Sequence, residues 1–175
     1  MLITSQGKRT EPPGYEATTP TSAFTAHDRC FVCGAANAGG LKLTFERSAG
    51  VIRCRTRLDS RFQSYDGIVH GGILAAIADA AMVNLIHQAG GVRPRTCRLE
   101  LRYRTPVHVG EEITAEAAVL RTKHALVWTS CSVTVESRLC VEAKAVFRID
   151  RAGERDLGSL SVASTEAHAS DPPGD

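Results

Sequence analysis

The chain predicts an α+β fold in which an antiparallel sheet wraps around one long central helix. Three observations carry this. A helix-sized run, His70-Gly71-Gly72-Ile73-Leu74-Ala75-Ala76-Ile77-Ala78-Asp79-Ala80-Ala81-Met82, is apolar on nearly every side, and such a helix belongs inside a protein. Segments before and after it alternate apolar and polar residues with the period of two that half-buried strands need. Their order is two strands, the helix, then four strands, so one sheet has one helix to cover.

Residues 1–26 hold Pro12, Pro13, Gly14 and Pro20 among Thr and Ser. With little to bury, they read as a flexible arm. The folded unit is expected at 27–150. Residues 41–45 alternate and open it as a strand, and residues 51–58 alternate after the Gly50 turn, making a hairpin. A loop to Gly67 leads into the helix, expected at 71–88 and closed by Gly90-Gly91. Cys97, Leu99, Leu101 and Tyr103 then alternate with Arg98, Glu100, Arg102 and Arg104. Strands at 112–120, 126–136 and 139–149 follow, with turns near Val109-Gly110 and Glu136-Ser137. Residues 151–175, rich in Ser, Ala and Gly and closing on Asp171-Pro172-Pro173-Gly174, read as a disordered tail. No internal repeat is visible.

The 175 residues are 43% hydrophobic and 23% charged, with 21 basic against 19 acidic side chains and a net charge of +2. That balance argues against nucleic acid or an anionic membrane as a partner. The aromatics, Trp128 included, are too scattered for a base-stacking platform. The polar opening has no basic-then-apolar leader, and the apolar stretch 73–86 is short for a bilayer and broken by Asp79 and Asn84. Most of the six cysteines sit singly in strand-like alternation. Cys54, Cys97 and Cys131 read as small core residues in a reducing compartment, and a cytoplasmic location is expected.

Asp79 is the chemical anomaly. A carboxylate in an apolar helix is costly unless something uses or satisfies it. Ala75 and Ala76 leave space beside it, as a substrate groove would require. Burial would raise its pKa, which suits a base or nucleophile; the alternative is a carboxylate satisfied by a strand backbone or a water. Gly71 and Gly72 open the helix, where unpaired amides and a partial positive charge suit a developing oxyanion. They serve equally well for tight packing between loop and helix. Asp79 lies eight residues beyond Gly71, about 12 Å along a helix, so one helix cannot easily bring both groups to a single small centre. Two antiparallel helices across a dimer could.

The run Gly67-Ile68-Val69-His70-Gly71-Gly72 with Asp79, followed by Tyr103-Arg104-Thr105-Pro106-Val107 and Gly110-Glu111, resembles the hotdog-fold acyl-CoA thioesterases. The similarity is to the phenylacetate-pathway (PaaI-like) branch and that of thioesterase superfamily members 2 and 4, over roughly residues 30–149. The resemblance implies hydrolysis of an acyl-CoA thioester to the free acid and coenzyme A by a homodimer, which could pair further into a tetramer. Coenzyme A enters as part of the substrate, and no metal or organic cofactor is expected. It implies catalytic roles for Asp79, Gly72, Gly71 and His70, with Thr96 where relatives place a hydroxyl that assists the Asp. His70 could equally fix the loop before the helix. Some relatives carry an Asn six residues before the His; here Ser64 stands there, and the neighbouring Gln63 could supply the amide to substrate instead. The rival readings are a hotdog hydratase or dehydratase and a non-catalytic acyl-CoA-binding protein.

Three further features remain. Cys30-Phe31-Val32-Cys33-Gly34 looks like a knuckle of the kind that holds zinc, but a structural zinc needs four ligands and no second CxxC follows. His27, Asp28 or a partner chain would have to complete it, so two free thiols shaping a loop are expected. The segment 37–41 resembles the opening of some bacterial hotdog proteins and reads as a structural turn. Arg98, Arg102 and Arg104 share a polar strand face that would suit coenzyme A phosphates or be simply solvated.

Overall fold

The computed structural model describes residues 27–90 and 92–149. The expected arm at 1–26 and tail at 151–175 lie outside the described residues. Six strands and one long helix form in the expected order: β1 (Glu46–Ser48), β2 (Val51–Arg57), α1 (Gly71–Gly90), β3 (Arg95–Tyr103), β4 (Glu112–Lys123), β5 (Leu126–Val135) and β6 (Arg138–Arg148). The strands make one antiparallel sheet in the order β1-β2-β4-β5-β6-β3. The helix lies across its inner face and touches β2, β3, β4, β5 and β6. This is the hotdog arrangement.

Alternation builds the core. Ile113, Ala115, Ala117 and Val119 of β4 and Val127, Cys131, Val133 and Val135 of β5 are buried, as are Leu74, Ile77, Ala78, Ala81, Met82 and Leu85 of α1. Each fully buried Leu, Ile or Met contributes about 1.5–3 kcal/mol relative to exposure, so the side of α1 facing the sheet is firmly held. The helix is not covered all round, however. Gly71, Ile73, Ala75, Ala76, Asp79 and Val83 are only partly buried, and Asp79 sits among them. At 20 residues α1 begins where expected and runs two residues past the 71–88 span. By length and composition it meets the requirement for crossing a membrane; here it packs on the sheet.

Two strand expectations are corrected. Residues 41–45 do not join the sheet: Lys42 adopts φ +53°, and the Leu41 and Leu43 amides bond to the Phe31 and Val32 carbonyls (both 2.8 Å). The first strand begins at Glu46 instead, and Ala49 (φ +49°) and Gly50 (φ +82°) make the tight turn into β2, a geometry matched to strand twist. Cys54 and Cys131 are buried as expected, but Cys97 is exposed. The register of β3 against β6 slips between Thr96 and Arg98, leaving Cys97 as the unpaired residue of a bulge. β3 also ends the sheet, bonded to β6 on one side only, so among the described residues no strand pairs with its other edge.

Candidate active site

The bulge in β3 matters because it resets which way the strand points. With strict alternation Thr96 would share the face of Arg98 and Glu100. Past the bulge its hydroxyl turns toward α1 and donates to Asp79 Oδ1 at 2.9 Å. Burial raises the Asp79 pKa, and the Thr96 bond to the ionised form offsets part of that rise. A carboxylate that is poorly solvated when ionised is a stronger base than a surface Asp.

Asp79 lines a cavity of about 140 Å³ together with His27, Cys30, Cys33, Ala76 and Asn84. Ala76 thus borders the space beside the carboxylate; Ala75 is partly buried but does not line it. Asn84, read in the sequence only as an interruption, donates its amide to the Ala80 carbonyl (2.8 Å) and points toward Cys33 Sγ (3.9 Å). Burial pushes the Cys33 thiol up to about 11, helped by its neighbour Cys30. Burial also acts to raise Cys30, but hydrogen bonds from the Cys33 and Val32 backbone and from the Cys33 thiol outweigh it and hold that thiol below its ordinary value.

At the far end of the helix face, His70 is exposed and caps α1. Its carbonyl accepts from the Ile73 amide (2.9 Å), and its Nδ1 accepts from the Gly72 amide (2.8 Å). The ring proton therefore sits on Nε2. The Gly72 amide is committed to this cap, whereas the Gly71 amide has no acceptor among the described residues. Tyr103, at the end of β3, donates its hydroxyl to the Gly71 carbonyl at 2.9 Å. A Cβ on Gly71 would lie 3.3 Å from the Tyr103 ring, so glycine lets backbone and ring close together. The sequence placed Tyr103 in a strand alternation and in the run that carries the resemblance; nothing in the spacing pairs it with Gly71.

Gln63 and Ser64 belong to the loop before α1. The Gln63 Oε1 accepts from the Gly67 amide (3.2 Å), and the Ser64 amide donates to the Ile68 carbonyl (2.8 Å). Both side chains are exposed, and neither bonds to Asp79 or Gly71. Of the three arginines, Arg98 pairs with Glu100 and Arg104 with Glu142 (2.6 Å), as a solvated charged face would.

The structure therefore brings Thr96 to Asp79, and His70 and Tyr103 to the Gly71-Gly72 turn, but leaves these two groups at different points of one helix. Residues 66–146 match the family model of the Thioesterase superfamily. Similar solved structures agree on the fold. A crystallised thioesterase superfamily protein shares 24% identity at TM-score 0.62 over 66% of this chain; the match spans 61% of that protein, less than two thirds of its length. Zebrafish thioesterase superfamily member 2 is 18% identical at TM-score 0.60, covering 71% of this chain and 94% of its own. A hypothetical thioesterase from Streptococcus pneumoniae, solved with coenzyme A, is 16% identical at TM-score 0.58 over 61% of this chain and 87% of its own. No curated protein sequence matches.

Proposed function

We propose that the chain is an acyl-CoA thioesterase acting as a homodimer with two composite sites. The observation that carries this is a division within α1. The poorly solvated carboxylate, held by Thr96, and the unclaimed Gly71 amide lie eight residues apart on one continuous helix. At about 1.5 Å per residue they are some 12 Å apart, whereas a base and an oxyanion donor must both come within about 3 Å of the reacting centre. A second copy arranged antiparallel would set each Gly71 against the other protomer's Asp79. The partly exposed face of α1 and the open edge of β3 provide surface for such pairing.

In this site the Gly71 amide of one protomer donates to the thioester carbonyl oxygen as it gains negative charge. The other protomer's Asp79 takes a proton from water, and the water oxygen bonds to the carbonyl carbon. The tetrahedral intermediate then expels the coenzyme A thiolate, which is protonated as the free acid forms. Attack by the carboxylate itself, through a mixed anhydride that water then cleaves, uses the same geometry. Thr96 keeps the carboxylate oriented in either case. Coenzyme A bound to the streptococcal relative supports this substrate class.

The test is release of free thiol from short-chain, long-chain and aryl coenzyme A esters. Turnover of at least one saturated ester, abolished by Asp79→Asn, supports the reading. Binding without turnover across the panel would make the chain an acyl-CoA-binding protein, and consumption of only unsaturated esters without thiol release would make it a hydratase.

A further inference from the structure

The expected reading of Cys30 and Cys33 as two thiols shaping a loop leaves out what the fold brings to them. His27 joins the pair, and one donor atom from each of the three residues lies within 4.8 Å of the others. Cys33 Sγ and His27 Nδ1 are 3.7 Å apart. Around a tetrahedral zinc with ordinary Zn–S and Zn–N bonds that separation would be about 3.5 Å, so little movement is required. We propose that His27, Cys30 and Cys33 bind one zinc-class divalent ion, with the fourth coordination position open to the cavity that Asp79 also lines.

The protein's own hydrogen bonds build the knuckle. The Cys30 amide bonds to the His27 carbonyl (2.8 Å) and the Gly34 amide to the Cys30 carbonyl (3.0 Å). A Cβ on Gly34 would lie 2.4 Å from the Cys30 nitrogen, so only glycine lets the turn close so tightly. The Val32 amide points at Cys30 Sγ (3.4 Å), and the Asn84 amide points at Cys33 Sγ (3.9 Å). N–H groups aimed at sulfur are the outer partners that stabilise metal-bound thiolates. Val32 is buried in the core and anchors the loop against α1. Two thiolates and an imidazole select a soft or borderline ion over magnesium or calcium. Three protein ligands with an open fourth position form an incomplete structural site but a complete exchangeable one. Water would fill that position, on the side of the cavity that the proposed base lines.

Binding is read directly, so the proposal stands whether or not the chain hydrolyses thioesters. The full-length protein, reduced and stripped with a chelator, is titrated with zinc against a chromophoric competitor and with cobalt(II) as a spectroscopic probe. One ion per chain is expected, with tetrahedral cobalt bands and thiolate-to-cobalt charge transfer. Cys30→Ser with Cys33→Ser should weaken binding at least about a hundredfold, the upper end of what losing a mere outer-shell partner costs. Cys97→Ser, an exposed thiol outside the cluster, should leave it unchanged. Should the double variant unfold, His27→Asn carries the test, with affinity expected to fall at least about tenfold. Absence of micromolar zinc binding, a cobalt spectrum without thiolate bands, or affinity indifferent to these substitutions would overturn the proposal.

Discussion

Replacing Asp79 with Asn should make the protein more stable and catalytically inert at once. In the unfolded chain the carboxyl titrates at its ordinary value near 3.8; in the fold, burial raises it and the Thr96 hydroxyl offsets only part of the rise. The folded state therefore holds the proton to higher pH than the unfolded state does. Below the ordinary value both states are protonated and ionising Asp79 costs nothing. Between the two values that cost sets in, and above the folded value it is fully present. The amide of Asp79→Asn carries no charge and matches the carboxyl in shape. Relief of a misfit functional group commonly contributes about 0.5–2 kcal/mol, and the lower half of that range applies because Asp79 is only half-buried. Removal of a positioned base should lower kcat about 10²- to 10⁴-fold. Urea melts at pH 7 and near pH 4, with thiol-release assays on the same samples, measure both. The stability advantage should shrink toward the lower pH. Near-normal turnover, or a loss of stability at pH 7, would refute this reasoning.

Thr96→Val removes the 2.9 Å bond to Asp79, so the carboxyl pKa rises further and the acidic limb of kcat/KM moves to higher pH. The rate on that limb should fall about tenfold, the low end for a hydrogen bond to a charged group at an exposed position; an unmoved limb would take Thr96 out of the mechanism. Thr129 is fully buried on β5 and its Oγ1 has no hydrogen-bond partner among the described residues. Thr129→Val should therefore raise stability by about 1 kcal/mol, read from the urea midpoint. Gly34→Ala forces a Cβ to within 2.4 Å of the Cys30 nitrogen and should cost about 1–3 kcal/mol in thermal or chemical melts.

The central helix and the sheet around it were legible because both follow from periodicity. The nearly all-apolar run at 70–82 and the alternation in β2, β4, β5 and β6 are the fold's own burial pattern. Alternation misled where other contacts produce it. Leu41 and Leu43 alternate because they pair with the loop at 31–32 rather than with a strand, and Lys42 breaks the extended backbone between them. In β3 a single bulged residue exposed Cys97 and turned Thr96 toward the helix, a one-residue slip that no pattern of side chains reports. Asp79, Gly71 and Gly72 were legible because a carboxylate and a glycine pair are out of place in a buried helix. Gly72 proved to be committed to His70, since a histidine two residues before an amide can cap it with its own ring. Tyr103 reaches its partner through the tertiary fold, 32 residues from Gly71 in the chain, whereas His27, named beside the CxxC, lies only six residues from Cys33.

Subunit complementation puts the shared site to a direct trial. Gly71→Pro removes the amide donor at the first helical position, where proline is tolerated, and Asp79→Asn removes the base; each alone should be inactive. Co-refolded in equal amounts, half of the dimers are hybrids with one intact site of two, so about a quarter of the parent's specific activity should return. Hybrids that form, as native mass spectrometry would show, yet remain inactive would contradict a site built from two protomers.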